Sequence, residues 1–99
     1  MKKRYQLKSK VWQYPGMAGW HFLTVDKKSS SLIKKEQAGK PRIGWGSVPV
    51  TVKLGKSAWS TSIFPDKTGV YLLPLKAAMR KKEGVFAGDT VSYAITLLR

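Results

Sequence analysis

In the last third of this chain, residues 70–98, a proline and two glycines separate short predicted secondary-structure elements. A β-prone apolar stretch precedes Pro74, which cannot donate to a sheet ladder but suits the first turn of a helix. Gly84 stands where a helix needs a left-handed residue to end, and Gly88 opens a turn before a second apolar stretch. This order predicts strand, short helix, turn and strand, and it limits the chain to folds that join strands through a brief helix.

The predicted helix is amphipathic. Leu75, Ala78 and Met79 lie three and four residues apart, so they share one face. Positive side chains lie off that face and crowd the last turn, where the helix dipole favours them. Residues 91–97 then alternate apolar with polar or small side chains, which predicts a half-buried final strand. These patterns constrain the architecture and do not say what the protein does.

The rest of the chain predicts elements of the same kind. Asp26 is a suitable N-cap for a short helix that ends before Gly39, and Gly55 with Lys56 forms a two-residue hairpin turn. Further strands are predicted at residues 4–12, 18–25, 48–54 and 58–64. The fold class is therefore mainly β (α+β), a small β-barrel of about six strands with two short helices, in one domain over residues 1–99.

The predicted element order is β-β-α-β followed by β-β-α-β. The segments HFLTVDKKSSSLIKKEQAG and VYLLPLKAAMRKKEG each contain a strand, a basic helix and a glycine. This faint similarity predicts two half-barrels related by a pseudo-two-fold axis. A six-stranded barrel without internal symmetry is the alternative.

The charge of the chain is strongly unbalanced. Nineteen Lys and Arg residues face five Asp and Glu residues, which gives a formal net charge of +14. Such a field attracts polyanions, whereas a dispersed lysine coat that serves solubility is the alternative. The chain has no cysteine, no apolar run long enough to span a bilayer and no signal-peptide pattern, so a cytoplasmic location is expected.

One candidate site is a nucleic-acid-binding loop. Trp45 stands between two glycines and close in sequence to Lys40 and Arg42, so an exposed indole there could stack on a base while the cations bind phosphate. Lys8 and Lys10, on the basic face of the first strand, are candidates for the same surface. The competing interpretation is that Trp45 folds over the barrel end as a hydrophobic lid.

A second candidate site is an anion clamp on the C-terminal helix. Lys76 and Arg80 are four residues apart and so share a helix face, where the hydroxyls of Thr61 or Ser62 would complete a site for a small anion. The competing and preferred interpretation is a structural ion pair between Arg80 and Asp89 that fixes the helix against the following turn.

The tryptophans on the predicted strands have different expected positions. Trp20 and Trp59 are predicted to lie in the core, whereas Trp12 follows the basic face of the first strand, and its position stays open.

Catalysis has little support in the sequence. His21 is the only histidine and the acids are scattered, so no metal site and no cofactor is predicted. Ser60 or Ser62 can be combined with His21 and Asp66 on paper, but chains of this size contain such triples by chance and no nucleophile-elbow motif accompanies this one. We therefore expect a protein that is not an enzyme.

Two resemblances rest on the second half of the chain. The segment LPLKAAMRKKEGVFAGDTV resembles the helix-and-turn core of AbrB-like swapped-hairpin domains, which build a double-split β-barrel from two short chains and bind DNA. From Trp20 onward the chain is similar to a family of small bacterial proteins known only as domain-of-unknown-function family nineteen-oh-five. The pieces that carry this similarity are Val48-Pro49-Val50, Trp59-Ser60-Thr61-Ser62, Tyr71-Leu72-Leu73-Pro74, Lys76, Arg80 and Gly88-Asp89.

The resemblances imply a barrel closed within one chain, and they bring no established activity. Fold analogy is a weak argument for function, because the two halves differ in sequence and a symmetric DNA-reading surface need not survive. On the residues, we expect a non-catalytic monomer that binds a polyanion such as nucleic acid and does not bind membranes. A protein-interaction or accessory domain and a protein for a small anionic ligand are the alternatives.

Overall fold

Six antiparallel strands close into a barrel in the order β1-β2-β5-β4-β3-β6 in a computed structural model of the chain. The structure describes residues 3–16, 19–40 and 46–99. The predicted small β-barrel with two short helices is confirmed. Its elements are β1 (Arg4–Gln13), β2 (His21–Thr24), α1 (Lys27–Gln37), β3 (Val48–Leu54), β4 (Ser57–Pro65), β5 (Tyr71–Pro74), α2 (Ala77–Glu83) and β6 (Thr90–Leu97).

The barrel interior is filled by alternate residues of the strands. Along β3 the side chains of positions 48, 50, 52 and 54 are buried while those between them are not, as a period of two requires. Each fully buried aliphatic side chain contributes roughly 1.5–3 kcal/mol by leaving water. The largest fully buried apolar side chains are Tyr93, Leu23, Ile33, Ile63, Leu73, Ile95, Val11, Val25, Val48, Val50 and Val52.

The two helices begin and end differently. At the start of α1 the carboxylate of Asp26 accepts a hydrogen bond from the backbone N–H of Ser29 at 2.7 Å, so the predicted N-cap is confirmed. At the start of α2, Lys76 occupies the N-cap position without a side-chain hydrogen bond. That helix ends at Gly84, whose φ of 65° is the predicted left-handed conformation.

Pro74 lies in a strand rather than in the first turn of a helix, so its predicted position is wrong. It is the last residue of β5 and opposes Phe22 of β2. The next N–H, that of Leu75, donates to the carbonyl oxygen of His21 at 2.9 Å. The ladder thus continues past the proline, which stands at a strand end where a missing donor is tolerated.

The strand pairing shows the predicted two-fold relation. We call residues of β1, β2, α1 and β3 the first half, and those of β4, β5, α2 and β6 the second half. Exchanging the halves swaps β1–β2 with β4–β5 and β1–β6 with β3–β4, and it leaves the pairs β2–β5 and β3–β6 in place. The registers agree as well. The exchange places Lys8 of β1 on Ser60 of β4 and Ser92 of β6 on Thr51 of β3, and Lys8 opposes Ser92 just as Ser60 opposes Thr51.

The backbone hydrogen bonds formed just after β2 and just after β5 follow the same two-fold relation. The N–H of Val25 donates to the carbonyl oxygen of Tyr71 at 2.9 Å, and the N–H of Leu75 donates to that of His21 at 2.9 Å. The two halves of the chain are therefore equivalent in backbone geometry at these positions.

Candidate functional site

The outer face of β1 carries a row of cations. Arg4, Lys8 and Lys10 are exposed on the same face as Gln6, because the alternate residues of the strand, at positions 5, 7 and 9, turn toward the barrel interior. We call these three residues the basic row. Their cross-strand partners on β6 are Thr96, Ser92 and Thr90, so the basic row lies beside hydroxyl groups.

Carboxylates are absent from all six strands. Asp26, Asp66, Glu83 and Asp89 accept hydrogen bonds from backbone N–H groups in caps and turns. Within the described residues no lysine forms an ion pair with these acids or with Glu36. The lysines on the outer face of β1 therefore form no ion pair with these acids, although Asp89 lies beside that strand, where its carbonyl oxygen accepts from the N–H of Val11 at 2.8 Å.

An aromatic cluster continues the basic row along the same face. It consists of Trp12, Tyr14, Trp20 and Phe22. Trp12 opposes Phe22 in the ladder between β1 and β2, and their ring centroids are 5.2 Å apart. The Trp20–Phe22 and Tyr14–Phe22 centroid distances are 6.0 and 6.2 Å, within the range of interacting aromatic pairs.

The cluster is exposed at its rim and buried at its centre. Trp20 is 54% exposed and Tyr14 is 44% exposed, whereas Phe22 is only 7% exposed beneath them. The indole N–H of Trp12 donates to the hydroxyl of Thr24 at 2.9 Å, which fixes the orientation of that ring. The result is an aromatic surface whose rim remains accessible to solvent.

Arg80 anchors the chain next to Trp20. From α2 its guanidinium donates to the carbonyl oxygen of Gly19 at 3.1 Å, to that of Leu75 at 3.2 Å, and to Nε2 of His21 at 3.4 Å. The Gly19 carbonyl oxygen also lies 3.1 Å from Nδ1 of His21, so Gly19, His21 and Arg80 form one connected group beside Trp20.

The predicted ion pair between Arg80 and Asp89 is wrong. The Asp89 carboxylate accepts from the N–H of Phe86 at 2.8 Å, and the N–H of Asp89 donates to the Phe86 carbonyl oxygen at 3.0 Å. Asp89 thus closes its own turn, which follows the end of α2. The Arg80 side chain bonds to the segment that precedes β2 instead.

The predicted anion clamp is not assembled around Lys76 and Arg80. Lys76 lines an apolar groove of about 320 Å³ together with Trp20 and Pro74, and neither Thr61 nor Ser62 belongs to that lining. Successive residues of a strand point to opposite faces, so these two hydroxyls also diverge from each other on β4.

Lys40 lies at a different place from Lys8 and Lys10. It lines a cavity of about 620 Å³ with Lys34, Asp66 and Arg99 among the other residues. Hydrogen bonds from Thr68 hold the pKa of Asp66 below its usual value. Arg42 and Trp45 are outside the described residues, so the predicted loop site around Trp45 stays a prediction.

The candidate catalytic residues have other partners. His21 bonds to Gly19 and Arg80, while the Asp66 carboxylate accepts from Thr68. Burial raises the pKa of Tyr93 to about 12, against the opposing effect of its hydrogen bond with Ser9, so this phenol stays neutral near pH 7. Nowhere in residues 3–16, 19–40 and 46–99 do three potential metal-ligating side chains gather.

The comparison with known families assigns the chain. A family model described as a domain of unknown function, DUF1905, matches residues 8–95. The chain belongs to the DUF1905 family. No curated protein matches it. Neither helix described in this DUF1905 protein has the length and apolar character needed to cross a membrane.

The aromatic cluster is the feature of this DUF1905 chain that the sequence interpretation missed. Trp20 was predicted to be a core residue, and its 54% exposure shows that this is wrong. Trp59 packs against the core from a half-buried position. The signal was available in part, because Trp12 follows Lys8 and Lys10 at even spacing and therefore shares their face.

Proposed function

We propose that this DUF1905 protein is a non-catalytic module that binds nucleic acid along the outer face of β1. The observation that carries the proposal is the basic row, whose cations lie beside hydroxyl-bearing residues of β6. Phosphate oxygens accept hydrogen bonds from lysine, arginine, serine and threonine, so this surface suits a sugar–phosphate backbone.

The distribution of the acids supports the same proposal. A solvating coat normally mixes both signs of charge, whereas here the carboxylates lie in helices, caps and turns and four of the five accept backbone hydrogen bonds. The strand faces of the barrel carry only neutral or positive side chains. A polyanion approaching β1 would therefore meet no carboxylate on the strands.

The test is a titration of fluorescent single-stranded and duplex DNA by fluorescence anisotropy at several salt concentrations. The unmodified protein should bind, with a logarithm of affinity that falls by about 0.7–0.9 per neutralised phosphate for each unit of log salt. The double variant Lys8→Ser/Lys10→Ser should bind on the order of tenfold more weakly at about 100 mM salt, with a slope reduced by about 1.4–1.8.

A matched control separates position from net charge. Lys56→Ser/Lys67→Ser removes the same charge from two exposed residues of the β3–β4 and β4–β5 turns and should bind nearly as tightly as the unmodified chain. Equal weakening by both double variants would show a diffuse charge effect and contradict the proposal. No binding of either DNA at about 50 mM salt would exclude it and favour a protein-interaction role.

A further inference from the structure

We propose that the aromatic cluster is a base-stacking platform, so that the ligand of this protein is single-stranded nucleic acid. The inference rests on the proposed function and names its ligand class. It joins two observations on one face, namely lysines without ion-pair partners and the exposed rings of Trp20 and Tyr14, which pack on Phe22.

The spacing along β1 suits such a ligand. Lys8, Lys10 and Trp12 are alternate residues of one strand, so their side chains leave the same face about 6.8 Å apart. A strand lying along β1 can therefore present phosphates to the lysines and a following base to the aromatic rim. Bases within a duplex cannot offer their faces in this way, because those faces are already stacked on neighbouring bases.

The rim of the aromatic cluster is exposed to solvent and is therefore free to contact a ligand. Trp20 and Tyr14 remain 54% and 44% exposed although Phe22 beneath them is nearly covered. Arg80 holds the carbonyl of Gly19, the residue immediately before Trp20. This contact uses a charged side chain of α2 to position the segment that carries the most exposed indole of the cluster.

The groove beside the cluster extends the platform. Its volume is about 320 Å³, and its lining joins the Trp20 ring region to Pro74 and to the exposed Lys76 at the start of α2. A base resting against Trp20 would have cations on two sides, Lys10 along β1 and Lys76 across the groove. Charge complementarity therefore favours a nucleic acid over an uncharged apolar partner at this surface.

The experiment compares labelled single-stranded oligothymidylate with an oligothymidylate–oligoadenylate duplex as anisotropy probes. Tyr14→Ala/Trp20→Ala should weaken single-strand binding by about 5- to 150-fold, the effect of losing one stacked base. Duplex affinity should change by less than about twofold, because the lysines that contact phosphate remain. Trp20→Phe keeps a ring that can stack and should retain most of the single-strand affinity.

Phe86→Ala is the matched control. Phe86 is 71% exposed and lies outside the cluster, so its removal should leave both affinities unchanged. Thermal unfolding of each variant checks that the fold is intact, and the single variant Trp20→Ala, which should also weaken single-strand binding selectively, keeps the test valid if the double variant is unstable. Single-strand binding that survives Tyr14→Ala/Trp20→Ala, or an equal loss for both probes, would overturn the platform while leaving the proposed function in place. Absence of binding to both probes by the unmodified protein would remove the proposed function and this inference together.

Discussion

The two halves of the barrel share one backbone plan and differ in what they carry on the outside. By the register of the ladders, Lys8 and Lys10 of β1 correspond to Ser60 and Ser62 of β4. By the same register Trp12 corresponds to Phe64. Both halves contribute apolar inward residues to the same closed core. Cations and an aromatic cluster therefore distinguish the first half at positions that the fold does not require to be basic.

The equivalent helices show the same division. Ser30 of α1 is 1% exposed, and its hydroxyl bonds to the carbonyl of Val25 and the N–H of Tyr71. Its counterpart Arg80 of α2 makes the corresponding bond to Leu75 and then extends to the segment before β2. Ser30 thus makes short, buried contacts, whereas the longer side chain of Arg80 reaches the segment next to the exposed aromatic cluster. Under the proposed function, the first half would present the binding surface and the second half would help to position it.

The largest expected effect concerns the buried core, the part of the molecule in which the two halves are alike. Leu23 and Leu73 oppose each other across β2 and β5, and both are fully buried. Leu23→Ala and Leu73→Ala should each lower the free energy of unfolding by about 2–5 kcal/mol, because each leaves a cavity in the shared core. Urea denaturation measures both, and Leu32→Ala, at a 46% exposed position, should cost less than about 0.5 kcal/mol. A large cost at only one of the two buried leucines would contradict an equal contribution of the halves to the core.

The next prediction moves the charge from one half to the other. The chain with Lys8→Ser/Lys10→Ser and Ser60→Lys/Ser62→Lys keeps the net charge of +14 but places two lysines on β4. We expect it to recover most of the roughly tenfold duplex affinity lost on removing Lys8 and Lys10, since phosphate binding depends on local cations. It should not recover single-strand affinity to the same extent, because β4 offers Phe64 in place of the aromatic cluster.

Two outcomes of that anisotropy titration would change the interpretation. Full recovery of the affinities for both DNAs would show that any pair of lysines on the barrel suffices and that the aromatic cluster adds nothing. No recovery for either DNA would show that cations on β4 cannot replace the basic row, and that the hydroxyl partners on β6 or the neighbouring strands are needed as well. Either result would show whether the number of lysines or their position on the barrel determines the affinity for DNA.

Sequence periodicity predicted the elements well because their inward residues form one unbroken core. The alternation in β3, the cap at Asp26 and the left-handed Gly84 are local features, and each is present in the structure. Pro74 was misplaced because a proline is acceptable both at a strand end and at a helix start, and only the partner strand decides between them. Local rules leave such choices to tertiary contacts.

The candidate site was harder to predict, since it depends on which residues meet across strands. The basic face of β1 follows from alternation alone, and Lys8 and Lys10 are exposed as expected. The exposure of Trp20 does not follow, because an aromatic residue beside a strand is usually buried in a core. The contact of Arg80 with Gly19 joins residues far apart in the chain, whereas the expected partner Asp89 was near in sequence.

The smallest expected effect concerns the N-caps of the two helices. Asp26→Ala should lower the free energy of unfolding by about 1 kcal/mol, because the N–H of Ser29 loses its acceptor. Lys76→Ala should have almost no effect, since Lys76 makes no capping hydrogen bond. Lys76→Asp should raise stability by about 0.5–1 kcal/mol, because it gives α2 both the capping acceptor and the negative charge that a helix start favours. Urea denaturation near pH 7 measures all three, and a destabilised Lys76→Asp variant would show that the cation at this position already stabilises the fold through the groove beside Trp20.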